Sequence, residues 1–415
     1  MSGYLIKIKT KIPYSDKVVD IDLDGKTLIL TGGNGCGKTQ LMDHLFKKLK
    51  EYIIDRNNYT VEQLQSNLAS YQYNFDIIGP AHQNYNHFKE QIENTKAKIK
   101  EVENPPIQIC SLEDFVVKYQ NFKAVLVSFE AMRKSEITKP STVTSLDALR
   151  SKDKEFTQKI YSNLNSSSIF EEFLVSNIAN QAFSESSKIN NNPEEAMRIE
   201  KWFSKLETDL QDLFEDNSLR LVFKSDTLSF EIHQPHKDPY TFQSLSSGFS
   251  SIMAVYADLI TKVSLRSIDP DELTGIVLID EVDAHLHVSL QKKILAFLKR
   301  AFPKVQFIVS THSPFVVSSV DDAVIYDLSR LEQVDDLSMY SYEAVLEGLF
   351  GVLPISSLLQ KNIAKLAVLL NRSPLNIDGV QALLDLLPSD YAALDDESLY
   401  FVKSAKIALS KAKRS

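Results

Sequence analysis

Only 12 of the 415 residues are glycine, yet Gly32, Gly33, Gly35 and Gly37 fall within six positions. A glycine-poor chain that concentrates glycine in one place has a backbone requirement there that the rest lacks. The run before it, residues 27–31 (TLILT), is short and apolar and reads as a buried strand. Residues 40–52 (QLMDHLFKKLKEY) space apolar side chains at helical intervals with lysines opposite. Between them, Gly32-Gly33-Asn34-Gly35-Cys36-Gly37-Lys38-Thr39 fits G-x-x-x-x-G-K-[ST]. In that setting the loop N–H groups turn inward around a β-phosphate, and the helix opening at Lys38, Thr39 and Gln40 points its positive end at the same anion. Lys38 then reaches the β/γ oxygens and Thr39 can ligate Mg²⁺. The bland alternative is a glycine-rich turn, which the flanking strand and helix disfavour. Nucleotide binding is the reading.

Composition removes several other classes. With 43% hydrophobic and 24% charged residues the chain is ordinary globular material, neither collagen-like nor disordered. Lys+Arg 46 against Asp+Glu 55 gives a net charge of −9, so no general cationic coat for nucleic acid exists, and DNA is not indicated by charge although a local basic groove stays open. Two cysteines, Cys36 and Cys110, cannot build a disulfide framework or a four-thiolate zinc site, which fits a reducing cytoplasm. No stretch approaches about 18 apolar residues and the N-terminus lacks a continuous apolar region, so neither membrane span nor signal peptide is expected.

Residues 4–9 and 18–23 alternate as half-exposed strands, 124–129 (AVLVSF) reads as a buried strand, and 219–232 as a hairpin. Residues 84–104 predict a short helical projection ended by Pro105-Pro106. The segment 134–215 predicts a polar helical layer. A helix over 249–264 is followed by strand 275–279, helix 288–301 and strand 306–309, a βαβ rhythm that implies a parallel sheet. From about 336 the pattern is helical, with Lys403, Lys406, Lys411, Lys413 and Arg414 in the tail. The predicted fold class is α/β, with an N-terminal antiparallel β-subdomain, a helical insertion and a helical C-terminal region. The predicted divisions are an N-lobe over 1–83, an insertion over 84–215 holding one core strand, a C-lobe over 216–335, and an assembly or partner region over 336–415.

Further motifs carry chemistry. Asp280 and Glu281 end the apolar run 275–279, the arrangement in which one acid supports Mg²⁺ and the next orients or deprotonates water. Acid pairs after strands are commonly solvated loop charges, and only the P-loop lifts this pair above that. His312, within Thr311-His312-Ser313-Pro314, falls just past the strand 306–309, at the sheet edge where ligands of open α/β sheets bind. Leu245-Ser246-Ser247-Gly248 opens the helix 249–264 and offers another helix N-terminus to an anion, although a plain N-cap would look alike.

In order, the set is P-loop, LSSG, strand-Asp-Glu, strand-His. That order, with the forms GGNGCGKT and LSSG, resembles the ABC-type ATPases. IDEVDAHLH at 279–287 and QFIVSTHSPFVVSS at 306–319 resemble one bacterial branch of them, which includes overcoming-lysogenization-defect proteins and the ATPase subunits of PARIS, Septu and retron-linked antiphage systems. The likeness covers about 1–60 and 240–330 well. It implies an ABC-ATPase P-loop fold binding ATP and Mg²⁺. By the same likeness, Lys38 contacts phosphate, Thr39 and Asp280 serve Mg²⁺, Glu281 polarises the attacking water, and His312 contacts the γ-phosphate. Ser246, Ser247 and Gly248 would contact ATP held by an opposing copy, in a head-to-tail dimer or a higher oligomer built from it. Phe249 departs from the Gln or Glu that many relatives carry after the signature glycine. Arg133 lies nearest the usual Q-loop position, Tyr14 is on a loop able to reach the base, and His285 and His287 occupy dimer-loop positions, too closely spaced for a helical metal site.

Four functional readings follow. A RecF-like DNA repair ATPase fits in size, but only 84–104 resembles an arm. A self-contained nuclease of the overcoming-lysogenization-defect type needs a TOPRIM domain, and Glu347-Gly348 sits in a helical pattern with no Asp-x-Asp between His312 and Ser415. A transporter ATPase would lack the long insertion. The favoured reading is a nuclease-free ATPase that senses a phage-encoded trigger and controls a separate effector such as a TOPRIM or HNH nuclease, with the PARIS subunit as nearest guess and the Septu and retron ATPases next.

Overall fold

The computed structural model describes residues 3–54, 60–78, 80, 82–158, 165–334, 337–351, 356–371, 376–387, 394 and 396–412. Among the described residues twelve strands follow one another: β1 (Leu5–Lys11), β2 (Val18–Asp22), β3 (Thr27–Thr31), β4 (Ile107–Ile109), β5 (Ala124–Phe129), β6 (Arg220–Lys224), β7 (Ser229–His233), β8 (Tyr240–Thr241), β9 (Thr274–Ile279), β10 (Val305–Ser310), β11 (Ala323–Asp327) and β12 (Glu332–Val334).

The central sheet runs β12-β11-β3-β10-β9-β5, all parallel except β12. Strands β3 and β10 are buried along their whole length and β9 almost so, as expected of parallel strands covered on both faces. Helix Lys38–Ile53 turns Leu41, Met42, Leu45, Leu49 and Ile53 into one cluster with Leu28, Leu30, Leu278, Ile308 and Tyr326. The antiparallel sheet β2-β1-β4 closes that cluster with Leu5, Ile8, Val19 and Ile21, while Lys7 and Lys9 pair with Asp20 and Asp22 outside. Buried Gln306 joins the two sheets. Its Oε1 accepts from Leu5 N at 2.7 Å, and its Nε2 donates to Leu5 O at 3.0 Å and Lys26 O at 2.8 Å. The fold is thus the α/β architecture expected, with a parallel-dominated core and an antiparallel N-terminal sheet.

On the other side lie helices Leu146–Gln158, Phe170–Glu185 and Pro193–Leu213 around helix Ser247–Leu265, which is buried nearly all round. Their junction is ionic. Arg266 Nε donates to Asp153 Oδ2 at 2.8 Å, Ser166 Oγ donates to Asp153 Oδ1 at 2.7 Å, and Lys262 pairs with Asp258. Sheet β6-β7-β8 covers this layer, and its β6–β7 hairpin falls where the sequence placed one.

Several elements differ from the sequence reading, which placed no strand at β4, β8, β11 or β12 and no helix over Leu112–Gln120. Residues 61–77 form a helix, Val61–Ile77, opened by a capping box between Thr60 and Gln63. The projection is therefore a hairpin of two helices, with Tyr85–Glu103 as its second arm and Phe75 against Tyr85 at 4.7 Å between ring centroids. The helix predicted over 288–301 is divided into Val288–Gln291 and Ile294–Ala301.

Residues 343–415 make a separate compact unit. Helices Ser357–Leu370, Ile377–Asp385 and Asp396–Ala412 bury Ile363, Leu366, Val380, Leu384, Val402, Ala405 and Leu409 together. Glu347 and Gly348 end the helix Tyr342–Gly348, so this glutamate-glycine pair is not strand-borne.

Gly275 fixes how closely β9 approaches β5. Its φ is 139°, and a Cβ there would lie 2.1 Å from Val125 O and 2.7 Å from Val125 N. Gly275→Ala should cost roughly 1–3 kcal/mol, the usual scale of overpacking. Urea unfolding would register this as a lower midpoint; a wild-type midpoint would mean the strand pair yields freely.

Candidate nucleotide site

Parallel register brings four strand ends to one edge. Leu30 lies opposite Ser310, Val309 opposite Ile279, and Ile279 opposite Phe129. The glycine loop, Thr311-His312, Asp280-Glu281 and residues 130–133 therefore leave the sheet together, at the edge where open α/β sheets hold ligands.

The loop needs its glycines. Gly32 sits at φ 132° with Ser329 Oγ 2.9 Å from where a Cβ would be, and Gly37 sits at φ 106° with Ile12 Cγ2 at 3.2 Å. Ser329 Oγ accepts from Gly33 N at 2.8 Å, and Lys17 Nζ donates to Cys36 O at 3.3 Å and Leu328 O at 2.9 Å, so neighbours brace the loop from behind. Gly33, Asn34 and Gly35 are exposed, Cys36 is half-buried, and no atom approaches within 4 Å of a Cβ placed on Gly35. The front of the loop is thus open backbone. Lys38 is buried, its Nζ donating to Gly32 O at 2.9 Å and Gly33 O at 3.3 Å, with Cys36 Sγ at 3.8 Å. Thr39 and Gln40 are exposed at the helix start.

Asp280 ties the site together. Thr39 Oγ1 donates to its Oδ2 at 2.7 Å, Ser310 Oγ donates to its Oδ1, and its own N–H donates to Phe129 O at 2.9 Å. Ser310 Oγ also accepts from Glu281 N at 2.7 Å. Glu281 adopts φ 44°, and its carboxylate is exposed. Asp43, on the helix after the loop, has its carboxyl pushed up by burial and by the charges of Asp280 and Glu130. Thr39 Oγ1 and Asp280 Oδ2 are two hard oxygen donors within hydrogen-bond reach, a set that suits Mg²⁺. The open loop backbone and the buried Lys38 suit phosphate oxygens.

Thr311 Oγ1 donates to Asp283 Oδ1 at 2.5 Å and accepts from Ser313 N at 2.9 Å, which fixes the loop bearing His312. His312 is half-buried. Burial first, then the Lys38 charge, holds its pKa below the ordinary histidine value, against the pull of Asp283, Glu281 and Asp280.

Ser246 and Ser247 are exposed at the start of helix Ser247–Leu265, and the Ser246 side chain caps nothing. Gly248 is buried: a Cβ there would lie 2.7 Å from His285 O, so this segment rests on the turn that follows Glu281. Phe249 stacks on Phe214, centroids 4.1 Å apart and rings 1° from parallel, so it packs inward. His287 caps the helix Val288–Gln291 by accepting from Ser289 N, a structural task. Tyr14 is 99% exposed at φ 59°, on the loop between β1 and β2.

Sequence reasoning missed Ser310, Ser329 and Lys17. Serines at strand ends and a lysine in a turn carry no pattern of their own. Arg133, marked only by position, lies beneath the Asp280–Glu281 backbone rather than in the loop, with Nη1 donating to Asp280 O at 2.7 Å.

Parts of the chain are similar to known proteins. Residues 124–318 match the family described as "AAA domain, putative AbiEii toxin, Type IV TA system". That stretch is similar to the family over a little under half of the chain. The Septu protein PtuA of Bacillus thuringiensis is 36% identical over 152 residues, covering 35% of this chain and 37% of that protein. The "Retron Ec83 probable ATPase" of Escherichia coli is 44% identical over 89 residues, 21% of this chain and 16% of that one. The chain thus spans well under half the length of these relatives. Both come from the group of defence ATPases that the motifs pointed to. The SMC head domain from Thermotoga maritima aligns over 78% of this chain and 94% of that one, with a TM-score of 0.33 and 13% identity.

The depressed His312 pKa gives a pH test. Above about pH 6.5 a histidine is neutral in both folded and unfolded chains. As pH falls through that value the unfolded chain takes the proton first, so the folded state loses stability. His312→Gln should reduce the drop in urea midpoint between about pH 7.5 and about pH 5.5. An identical drop in both proteins would place the histidine in solvent.

Proposed function

We propose that the chain binds ATP with Mg²⁺, hydrolyses it between two head-to-tail copies, and through that cycle controls a separate effector in antiphage defence, as a Septu- or retron-type ATPase. The observation that carries this is the Asp280 carboxylate held by Thr39 and Ser310 at the mouth of the glycine loop, with Ser310 also holding the N–H of Glu281.

The residues divide the work. Lys38 exchanges the carbonyls of Gly32 and Gly33 for β/γ-phosphate oxygens, and the N–H groups of residues 33–40 surround the phosphate chain. Thr39 and Asp280 would hold Mg²⁺, which would supply positive charge to offset that of the phosphates. Glu281, one residue beyond the Asp280 anchor and exposed, orients the attacking water and takes up its proton. His312, kept neutral, donates a hydrogen bond toward the γ-phosphate. Tyr14, exposed on the loop between β1 and β2, would be the residue able to reach the base.

The second copy completes the site. Ser246 and Ser247 face outward with the uncapped start of a 19-residue helix behind them, an arrangement suited to phosphate oxygens presented by another molecule. The effector reading draws support from the unit of residues 343–415, which has its own core and yet exposes Leu358, Val368, Leu386, Tyr400 and Ile407. A phage-encoded trigger belongs to the same reading.

Mixing tests the shared site. Lys38→Ala should abolish ATP binding, Ser246→Trp should bind ATP without turnover, and Glu281→Gln should bind ATP with turnover lowered at least about 100-fold. Combining Lys38→Ala with Ser246→Trp should restore about a quarter of wild-type turnover, because half of the dimers are mixed and each keeps one intact site. No recovery on mixing, with each protein folded, would contradict a site built from two copies.

A further inference from the structure

After β5 the chain runs irregularly from 130 to 145, with neither helix nor strand. Three attachments hold its first half. At Arg133, Nη1 donates to Glu130 O at 3.1 Å and Asp280 O at 2.7 Å, while Nη2 donates to Val282 O at 3.2 Å and Glu281 O at 3.4 Å. At Ser135, the N–H donates to Ser250 O at 3.2 Å and Ser250 Oγ at 3.0 Å, and the two hydroxyls lie 3.1 Å apart. At Ile137, the carbonyl accepts from Gln243 Nε2 at 3.3 Å, and Gln243 also reaches buried Glu171. The first attachment grips the turn carrying Glu281, and the other two grip the segment on either side of Ser246.

We propose that Arg133 is a positioning residue for Glu281, and that residues 133–137 form a strap tying the Glu281 turn to the start of helix Ser247–Leu265. This deepens the ATPase reading and rests on it for its kinetic consequence. Glu281 lies at φ 44°, in the left-handed region that non-glycine residues occupy only where their surroundings over-determine it. Here the surroundings are visible. Ser310 Oγ holds the N–H of Glu281, and one guanidinium holds the carbonyls of Asp280, Glu281 and Val282. Only a planar fork with several fixed donors reaches three successive carbonyls at once, so lysine is no substitute. The side chain is buried, which pushes its pKa down to about 10, and Asp283, Asp280 and Glu281 oppose that loss, so it stays charged near neutral pH. Among the described residues the guanidinium bonds to carbonyls and to no carboxylate, so the task it performs is holding carbonyls.

The strap has a second consequence. Gly248 rests against His285 O, so the start of the Ser246 helix and the Glu281 turn already touch, and the strap joins them a second time through Ser135 and Ser250. A movement of the Glu281 turn is therefore carried to the surface that would face a second copy's nucleotide.

The test uses the full chain with Arg133→Ala and Arg133→Lys, read in two ways. In steady-state kinetics both should keep KM for ATP within about threefold while kcat falls about 100-fold for Arg133→Ala and about 10-fold for Arg133→Lys, the loss typical of a misplaced catalytic group. In hydrogen exchange without nucleotide, protection of residues 280–286 and 247–252 should fall together in Arg133→Ala, with the rest of the sheet unchanged. Wild-type kcat in Arg133→Lys, or unchanged exchange at 280–286 in a folded Arg133→Ala protein, would overturn the assignment. If the wild-type chain itself turns over no ATP, the ATPase reading fails on that result, and the exchange measurement still decides whether Arg133 holds the turn.

Discussion

The Asp280 carboxylate is the point on which the site depends. One oxygen receives Thr39 from the helix after β3, the other receives Ser310 from the end of β10, and the Asp280 N–H reaches the last carbonyl of β5. Three pieces of chain far apart in sequence are thereby held at a single residue. This is possible only because β3, β10, β9 and β5 are parallel and in step, since a one-residue slip would turn each end side chain to the opposite face. The apolar runs of those strands exist to fix that register, and the polar residues sit where the runs stop.

Much of this could be read from the sequence. Glycine concentration, the apolar run before it and helical spacing after it announce strand, loop and helix together, and the runs ending at Asp280 and Ser310 announce two further strand ends. Local periodicity was enough because each of these elements buries its own side chains. What stayed hidden depends on partners distant in sequence. Ser329 braces Gly33 across 296 positions, and Arg133 meets Asp280 across 147. Helix Val61–Ile77 stayed hidden for another reason: it buries Leu64 alone, so its apolar pattern is faint, and the capping box at Thr60 and Gln63 is its clearest mark.

The helical layer on the far side shows how polar residues can serve rigidity. Asp153, Ser166, Asp258 and Lys262 are buried together and paired with one another and with half-buried Arg266, locking helix Ser247–Leu265 to its neighbours near its C-terminal end. At the other end the same helix opens at Ser246 and meets the Glu281 turn through Gly248. A buried ion network costs desolvation and is strongly destabilised when one partner is lost, so it fixes one arrangement of the layer rather than many. A rigid helix anchored at one end and touching the site at the other suits a device that reports nucleotide state.

The central claim is that nucleotide closes two copies upon each other, and mass tests it most directly. The Glu281→Gln protein should double in mass with ATP and Mg²⁺ and return to its starting mass with ADP, while the same protein carrying Lys38→Ala should not respond. A mass that stays constant at saturating ATP, or a dimer that forms equally well without Lys38, would contradict the account.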